Sequence, residues 1–312
     1  MKRLAIVSAQ IAVRWGGGED SFGYETRDLL RAARQRLGDA FCIHPRRIGL
    51  HYSNRRGKYR ARVIHQGEDV SDLTYLIVRG VTGVNTQIST LALTLAAIGC
   101  RVIDSPEVFA GEEASKALSS SRRFMRGGLP ETFIAFSLDQ ARVLLEIAQA
   151  EDLFPLIAKP HLGKQGQGIA RLHGPRDAER YVATFFEADV KPLVKVLLVQ
   201  QMIDLEAEFR VLVVGNRPLG VVRKIPCHSD GTGNASTGAR FEQVEDESVV
   251  EFARRQAEQD GLAIAGVDIG RGRDGSIYLL ENNRAPQWQN FESATSINVA
   301  DEVLDYLCSD SP

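Results

Sequence analysis

Net charge is what this sequence has least of. Its 38 lysine and arginine residues nearly cancel 40 aspartate and glutamate residues, leaving −2 over 312 residues. No global basic field draws in nucleic acid and no acidic one repels it, although a local basic groove is still allowed. Cysteine is also scarce. Cys42, Cys100, Cys227 and Cys308 fit neither a CxxC pair nor a disulfide framework, so they read as free thiols in a reducing compartment. No stretch reaches the roughly 18 apolar residues that a membrane span needs. The short apolar run after the first three residues is broken too early for a signal peptide, so a cytoplasmic location is expected. Several catalytic signatures are missing as well. The six histidines form no HExxH or other zinc spacing, no GxSxG serine elbow occurs, and the Walker A pattern GxxxxGK[ST] is absent.

What is present fills a core. The chain is 44% hydrophobic and 25% charged, which excludes disorder for its bulk. At roughly 100–200 residues per domain, two or three domains are expected. Leu4–Val7, Leu73–Val78 and Arg101–Ile103 read as strands of a parallel α/β unit, with helices over Thr26–Leu37 and Thr86–Ile98 between them. A helix over Ala114–Met125 carries Lys116. Strands are expected at Glu131–Phe136, Leu156–Lys159 and Gly168–Leu172, with helices over Leu138–Ala150 and Arg176–Phe186. The last block offers Val194–Gln200 and hairpins over Phe209–Val222 and Ala263–Glu281. A loop over 227–240, then helices over Ser248–Gln259 and Val299–Leu307, complete it.

Two places concentrate chemistry. The first is Lys159 followed by the loop containing Gly163, Gln165, Gly166 and Gly168. Glycines there let backbone N–H groups approach phosphate oxygens, and a lysine at a strand end adds a cation. The same residues also suit a plain flexible hairpin, and their spacing is not the dinucleotide pattern GxGxxG. The second is Asp268 with Glu281 and Asn283. A two-residue step puts the last two on one face if the strand persists, and an antiparallel neighbour brings Asp268 beside them. Such oxygen donors suit Mg²⁺ better than zinc, and an ordinary polar strand end is the other reading. Arg79 ends a buried strand and Arg284 follows the acidic cluster; each is either a solvent-facing arginine or a partner for a substrate carboxylate.

In order and spacing, residues 85–307 resemble the ATP-grasp superfamily and, within it, the RimK-type carboxylate–amine ligases. The resemblance runs through the Lys116 helix, Ala158-Lys159-Pro160, the Gly163–Ile169 loop, Leu198–Ile203 and Glu208–Gly215. It closes with Gly266–Ile269, Glu281-Asn282-Asn283 and Phe291–Thr295. It implies an α/β N-terminal domain over 1–112, a central lobe over 113–190 and a C-terminal lobe over 191–312 holding the metal site, the two lobes being α+β. It further implies that Lys116, Lys159 and the glycine loop hold ATP phosphates, that Gln200, Gln201, Met202 and Ile203 form the adenine hinge, and that Glu208 takes the ribose hydroxyls. Asp268, Glu281 and Asn283 would bind two Mg²⁺ ions, with Mn²⁺ able to replace them. Arg210, Arg223 and Lys224 would serve the reacting phosphoryl or acyl group, and Asn234, Arg79 and Arg284 the substrate.

The chain departs from the family pattern at Gln201, at Thr232 and Thr237 in the acceptor-side loop, and at Gln287 after the metal motif. The implied activity is ATP-dependent amide or peptide ligation through an acyl-phosphate, on an amino acid, a peptide or a protein tail. Neither a membrane nor nucleic acid is an expected partner, and a homo-oligomer stays open. A phosphotransferase on the same fold, or a nucleotide-binding regulatory protein without turnover, is the alternative.

Overall fold

In a computed structural model the chain is described over residues 2–55, 58–81, 83–104, 120, 124, 127–160, 169–187, 195–225 and 240–309. The expected helix over Ala114–Met125 therefore lies almost wholly outside the described residues. The first strand, β1 (Arg3–Ser8), is followed by α1 (Ala9–Arg14), α2 (Tyr24–Leu37), β2 (Asp39–Ile43) and the hairpin β3 (Ile48–Arg55) and β4 (Lys58–His65). A two-residue β5 (Glu68–Asp69), then β6 (Tyr75–Arg79), α3 (Asn85–Ala97) and β7 (Arg101–Ile103) complete this part. The parallel sheet runs β2-β1-β6-β7, and β3-β4-β5 form a separate antiparallel sheet.

Leu4, Ala5, Ile6 and Val7 are all fully buried, as a central parallel strand requires. Side chains alternate across a strand, so Leu4 and Ile6 meet Leu29, Leu30 and Ala33 of α2, while Ala5 and Val7 meet Ile88, Leu91 and Leu95 of α3.

The middle of the chain gives β8 (Thr132–Ala135), α4 (Leu138–Ala150), β9 (Leu156–Pro160), β10 (Ala170–Leu172), α5 (Pro175–Glu187) and β11 (Leu197–Gln201). Its antiparallel sheet has the order β10-β9-β11-β8. Leu156, Ala158, Leu197 and Val199 share one cluster with Ala141 and Ala148 of α4 and Ala178 and Val182 of α5. The opposite face of this sheet carries Lys159, Gln200 and Thr132.

The remainder forms β12 (Leu205–Val214), β13 (Arg217–Ile225), β14 (Arg240–Val244), α6 (Glu247–Gln259), β15 (Ile264–Gly272), β16 (Ile277–Asn283), α7 (Gln289–Thr295) and α8 (Val299–Cys308). The sheet order is β14-β13-β12-β15-β16, antiparallel throughout. One face packs on α6 through Val211, Val213, Val221, Val267 and Ile269. The other face contributes Leu212, Val214 and Val222 to the cluster that also contains Leu4, Ile6, Leu29, Trp288, Phe291 and Leu304. Trp288 and Phe291 are thus core residues, 0% and 1% exposed.

Several elements differ from expectation. The hairpin expected over Phe209–Val222 is longer at both ends, because Glu208, Arg210 and Lys224 alternate with apolar residues and break the hydrophobic run that marks a strand. Arg240 opens β14 instead of closing a loop. Strand β2 and the β3–β4 hairpin have no counterpart in the sequence reading. Among the described residues no helix is long and apolar enough to cross a membrane.

Gly266 in β15 has a close neighbour. A Cβ there would lie 2.5 Å from Pro286 Cβ and 3.6 Å from Leu212 Cδ2. Gly266→Ala is expected to cost about 1–3 kcal/mol by overpacking, read as a lowered urea midpoint with an unchanged m-value.

Candidate active site

The five-stranded sheet assembles the site by register. Glu208 pairs with Lys224 and Arg210 with Val222, while Arg210 also faces Asp268 across β12 and β15. Glu208, Arg210, Lys224 and Asp268 therefore project from one face, the one opposite α6. A one-residue register shift between Asp268 and Ile269 brings Glu281, not Leu280, opposite Asp268. Such irregularities re-aim side chains, and this one turns Glu281 onto the charged face. Strand β16 persists to Asn283, whose Nδ2 donates to Asp268 Oδ2 at 3.3 Å. Asn282 points the other way and donates to Asp260 at 2.9 Å.

Asp268 is the centre of the cluster. Arg210 donates through Nε to Oδ1 at 2.8 Å and through Nη2 to Oδ2 at 2.7 Å, a bidentate fork. Lys224 Nζ lies 2.9 Å from Oδ1. With Asn283, all four lone-pair directions of the carboxylate are engaged. Burial pushes the Asp268 carboxyl up, but Lys224 and Arg210 outweigh it and hold the group down at about 2. Burial works against the Arg210 cation too, yet the attraction of Asp268 raises it overall. Glu208 is half-buried, and burial raises it despite the opposing pull of Lys224 and Lys159. That coupling places the charge of Lys159, from the central sheet, in the neighbourhood of Glu208.

In the central sheet, Lys159 Nζ donates to Gln200 Oε1 at 2.7 Å, and Gln200 Nε2 donates to Thr132 Oγ1 at 2.9 Å. The backbone N–H groups of Gln201 and Met202 donate to the carbonyls of Glu131 and Pro155, both at 2.9 Å, and so fix the strand exit that leads to Ile203.

Not every sequence candidate joins this cluster. Arg223 is corrected: it pairs with Phe209, is exposed, and shares the face that packs on α6, away from Asp268. One strand position separates it from Lys224, and strand alternation puts the two on opposite faces. Arg79 is not solvent-facing. It is buried, its guanidinium lies 4.4 Å from the Trp288 ring centroid, and Nη2 donates to the Pro286 carbonyl at 2.8 Å. Burial pushes it down to about 10. It pins the segment that follows Asn283 to the end of β6, and its Nη1 has no hydrogen-bond partner among the described residues. Arg284 is half-buried and electrostatically close to Asp104. Lys116, Gly163, Gln165, Gly166, Gly168 and Asn234 lie outside the described residues.

Asp104 was not singled out from sequence. It directly follows β7, is 1% exposed, and its Oδ1 accepts from Ala263 N at 2.6 Å and Ile264 N at 3.1 Å. A lone aspartate ending an apolar triplet is the only signal it leaves. Thr132, which orients Gln200, leaves none.

Among the described residues no group of three histidine, cysteine or acidic side chains is assembled as a metal site. The set Asp268, Glu281 and Asn283 is of another kind, two carboxylates and an amide. These hard oxygen donors fit Mg²⁺. Turning the Asn283 amide would withdraw its Nδ2 from Asp268 and present its oxygen instead, so that all three residues would offer oxygen to a divalent ion.

The family described as RimK-like ATP-grasp domain matches residues 116–307. The chain belongs to the RimK-like ATP-grasp family, and it is an ATP-dependent carboxylate–amine ligase with an ATP-grasp fold. A protein of Maridesulfovibrio salexigens named probable alpha-L-glutamate ligase is 26% identical over 302 residues, covering 91% of each chain. The RimK domain ATP-grasp protein of Sphaerobacter thermophilus superposes with a TM-score of 0.67 at 19% identity, covering 98% of this chain and 100% of that one. The ATP-grasp ligase PsnB, solved with a minimal precursor, Mg and ADP, gives a TM-score of 0.67 at 15% identity and covers 98% of both chains.

Proposed function

We propose that this ligase activates a carboxylate as an acyl-phosphate and passes the acyl group to an amine, on an amino acid or peptide substrate. The observation that carries the reading is the joining of Arg210, Lys224, Glu281 and Asn283 around Asp268 on one sheet face. A carboxylate resists amine attack because it is charged and resonance-stabilised. Its oxygen first attacks the γ-phosphorus of ATP, the bond from that phosphorus to the β–γ bridging oxygen breaks, and ADP leaves. The amine then attacks the acyl carbon and gives up a proton, the C–O bond to phosphate breaks, and phosphate leaves.

Lys159, with Lys116, would meet the phosphates of ATP; the Gln201 carbonyl and the Ile203 backbone would meet adenine, and Glu208 the ribose. Asp268, Glu281 and Asn283 would hold two Mg²⁺ ions, or Mn²⁺ in their place, and the metal supplies charge neutralisation for phosphoryl transfer. Arg210 stays paired with Asp268 and turns its free edge to the reacting oxygens. The layout in this reading is an N-terminal domain over 1–112, a central lobe over 113–190 and a C-terminal lobe over 191–312, with ATP between the last two.

Three features bear on the substrate. PsnB is solved with a precursor, which supports a peptide substrate here. The relative named for glutamate ligation supports an amino acid as the incoming group, and Thr232 and Thr237 support an acceptor loop unlike the family's. The test is phosphate release from ATP and Mg²⁺ across amino acids, dipeptides and carrier peptides, with the product weighed by mass spectrometry. Release that depends on a carboxylate and an amine together, with an amide product, is expected; a stable phosphorylated product or bound ATP without release would overturn the reading.

Thr132→Val tests the lysine. It leaves the Gln200 amide without its acceptor and loosens the group that holds Lys159, a loss of about 1 kcal/mol for one hydrogen bond. The KM for ATP should rise about fivefold while kcat stays within about twofold.

A further inference from the structure

Residues 44–66 contain seven lysine and arginine residues and no aspartate or glutamate. Outside this segment 31 basic residues face 40 acidic ones, a balance of −9. The near-neutral whole thus hides a sharply basic segment, most of whose described residues form the β3–β4 hairpin.

The two faces of that hairpin differ. Leu50 and Val63 pair in register and turn toward the core packed on α3, and the Tyr52 hydroxyl lies 2.7 Å from Thr94 Oγ1 of that helix. The alternate positions face outward, where His51 pairs with Arg62 and Ser53 with Arg60. Arg60, Arg62, Arg46 and Arg47 are all exposed, the last two in the turn that leads into β3. Only Arg62 has an acidic partner among the described residues, the exposed Asp69. Cations of one sign crowded on one sheet face repel each other, and guarding an edge strand needs only a charge or two. Strand β3 is the outer strand of its sheet and pairs with no strand on its other side among the described residues.

From this juxtaposition we propose that the outer face of the β3–β4 hairpin binds an acidic, extended segment of a polypeptide. The inference rests on the peptide-substrate reading above and adds a docking surface distinct from the reaction centre. Alternate residues of a strand repeat about every 6.7 Å, so Arg60 and Arg62 of β4, opposite Ser53 and His51 of β3, stand in step with the alternate side chains of an extended segment laid over the outer face. Arginine forks fit carboxylates two oxygens at a time, and a free strand edge offers main-chain pairing. The negative balance of the rest of the chain opposes a long polyanion such as RNA, which needs a broad basic field, but not a short acidic segment confined to the hairpin.

The test uses the full chain and a fluorescein-labelled 12-residue peptide in which glutamate alternates with valine. Fluorescence anisotropy should show binding that weakens as salt rises, and Arg60→Glu combined with Arg62→Glu should weaken it about tenfold. A glutamine-for-glutamate peptide should not bind. Phosphate release with small amino-acid substrates should be unchanged in the double variant, whose fold is checked by its melting curve. Equal binding of the glutamine peptide, an unchanged affinity in the double variant, or tighter binding of an RNA of equal charge would each overturn the proposal. Peptide binding without ligation would instead count against the proposed reaction and leave the docking surface standing.

Discussion

Asp268→Asn is expected to abolish nearly all turnover, lowering kcat by about a thousandfold, within the range seen when an electrostatic element of a reaction centre is removed. The effect has two parts that different measurements separate. The amide no longer presents two anionic oxygens, so Arg210 and Lys224 lose the group that holds them 2.7–2.9 Å away. Both cations then drift from the geometry the reaction uses. The same change leaves two poorly solvated cations without their anion, which costs about 3–5 kcal/mol of stability. The pH dependence follows from the low value of this carboxyl. Its folded-state position of about 2 lies below the ordinary 3.8. The stabilisation is therefore fully present above about pH 4 and is lost as pH falls through about 2. Urea midpoints of the parent and the variant should differ most at neutral pH and converge in strong acid. A variant as stable as the parent at pH 7, or one retaining a tenth of its turnover, would contradict the arrangement.

Asp104→Asn has the opposite sign and is the second large effect. Burial pushes the Asp104 carboxyl up to about 7, against the pull of the Ala263 and Ile264 N–H groups and of Arg284 and Arg79. In the unfolded chain the group releases its proton near the ordinary 3.8. Between these values the folded protein holds a proton that the unfolded chain has lost. The contribution of this group therefore falls as pH rises from about 4 to about 7 and is flat above. Asparagine keeps an oxygen for the two N–H donors and removes the charge; the Oδ2 it replaces has no hydrogen-bond partner among the described residues. The variant should gain on the parent by up to about 1.4 kcal/mol per pH unit, and about 2–4 kcal/mol in all. Denaturant titrations from pH 5 to pH 8 read this directly. A difference that does not change with pH would mean that Asp104 is already ionised throughout.

The sequence was most legible where one physical signal dominated. The Leu4–Val7 run, the periodic Leu138–Ala150 helix and the Ile277–Glu281 strand follow from apolar patterning, and the structure places them at or within a residue or two of those positions. The carboxylate juxtaposition was legible too, since two carboxylates and an amide ending neighbouring strands meet only if the hairpin pairs. Legibility failed where charge interrupted the pattern. Strands β3 and β4 alternate arginine and histidine with apolar residues, so composition hid their period of two. Arg223 and Lys224 were indistinguishable in one dimension because only register tells which of two adjacent cations faces Asp268. Asp104 and Thr132 act through partners more than 65 residues away, a separation that leaves no local trace.

One cluster joins Leu4, Ile6 and Leu29 to Leu304 and Leu307. During synthesis the inner face of α2 leaves the ribosome roughly a minute or less before α8 does, at ordinary elongation rates. Over that interval Leu29, Leu30 and Ala33 lack the helix that covers them, and the β2-β1-β6-β7 sheet with α2 is an unfinished surface awaiting α8. A chain stalled or truncated before Val299 would expose that apolar face and aggregate, even with every residue around Asp268 intact.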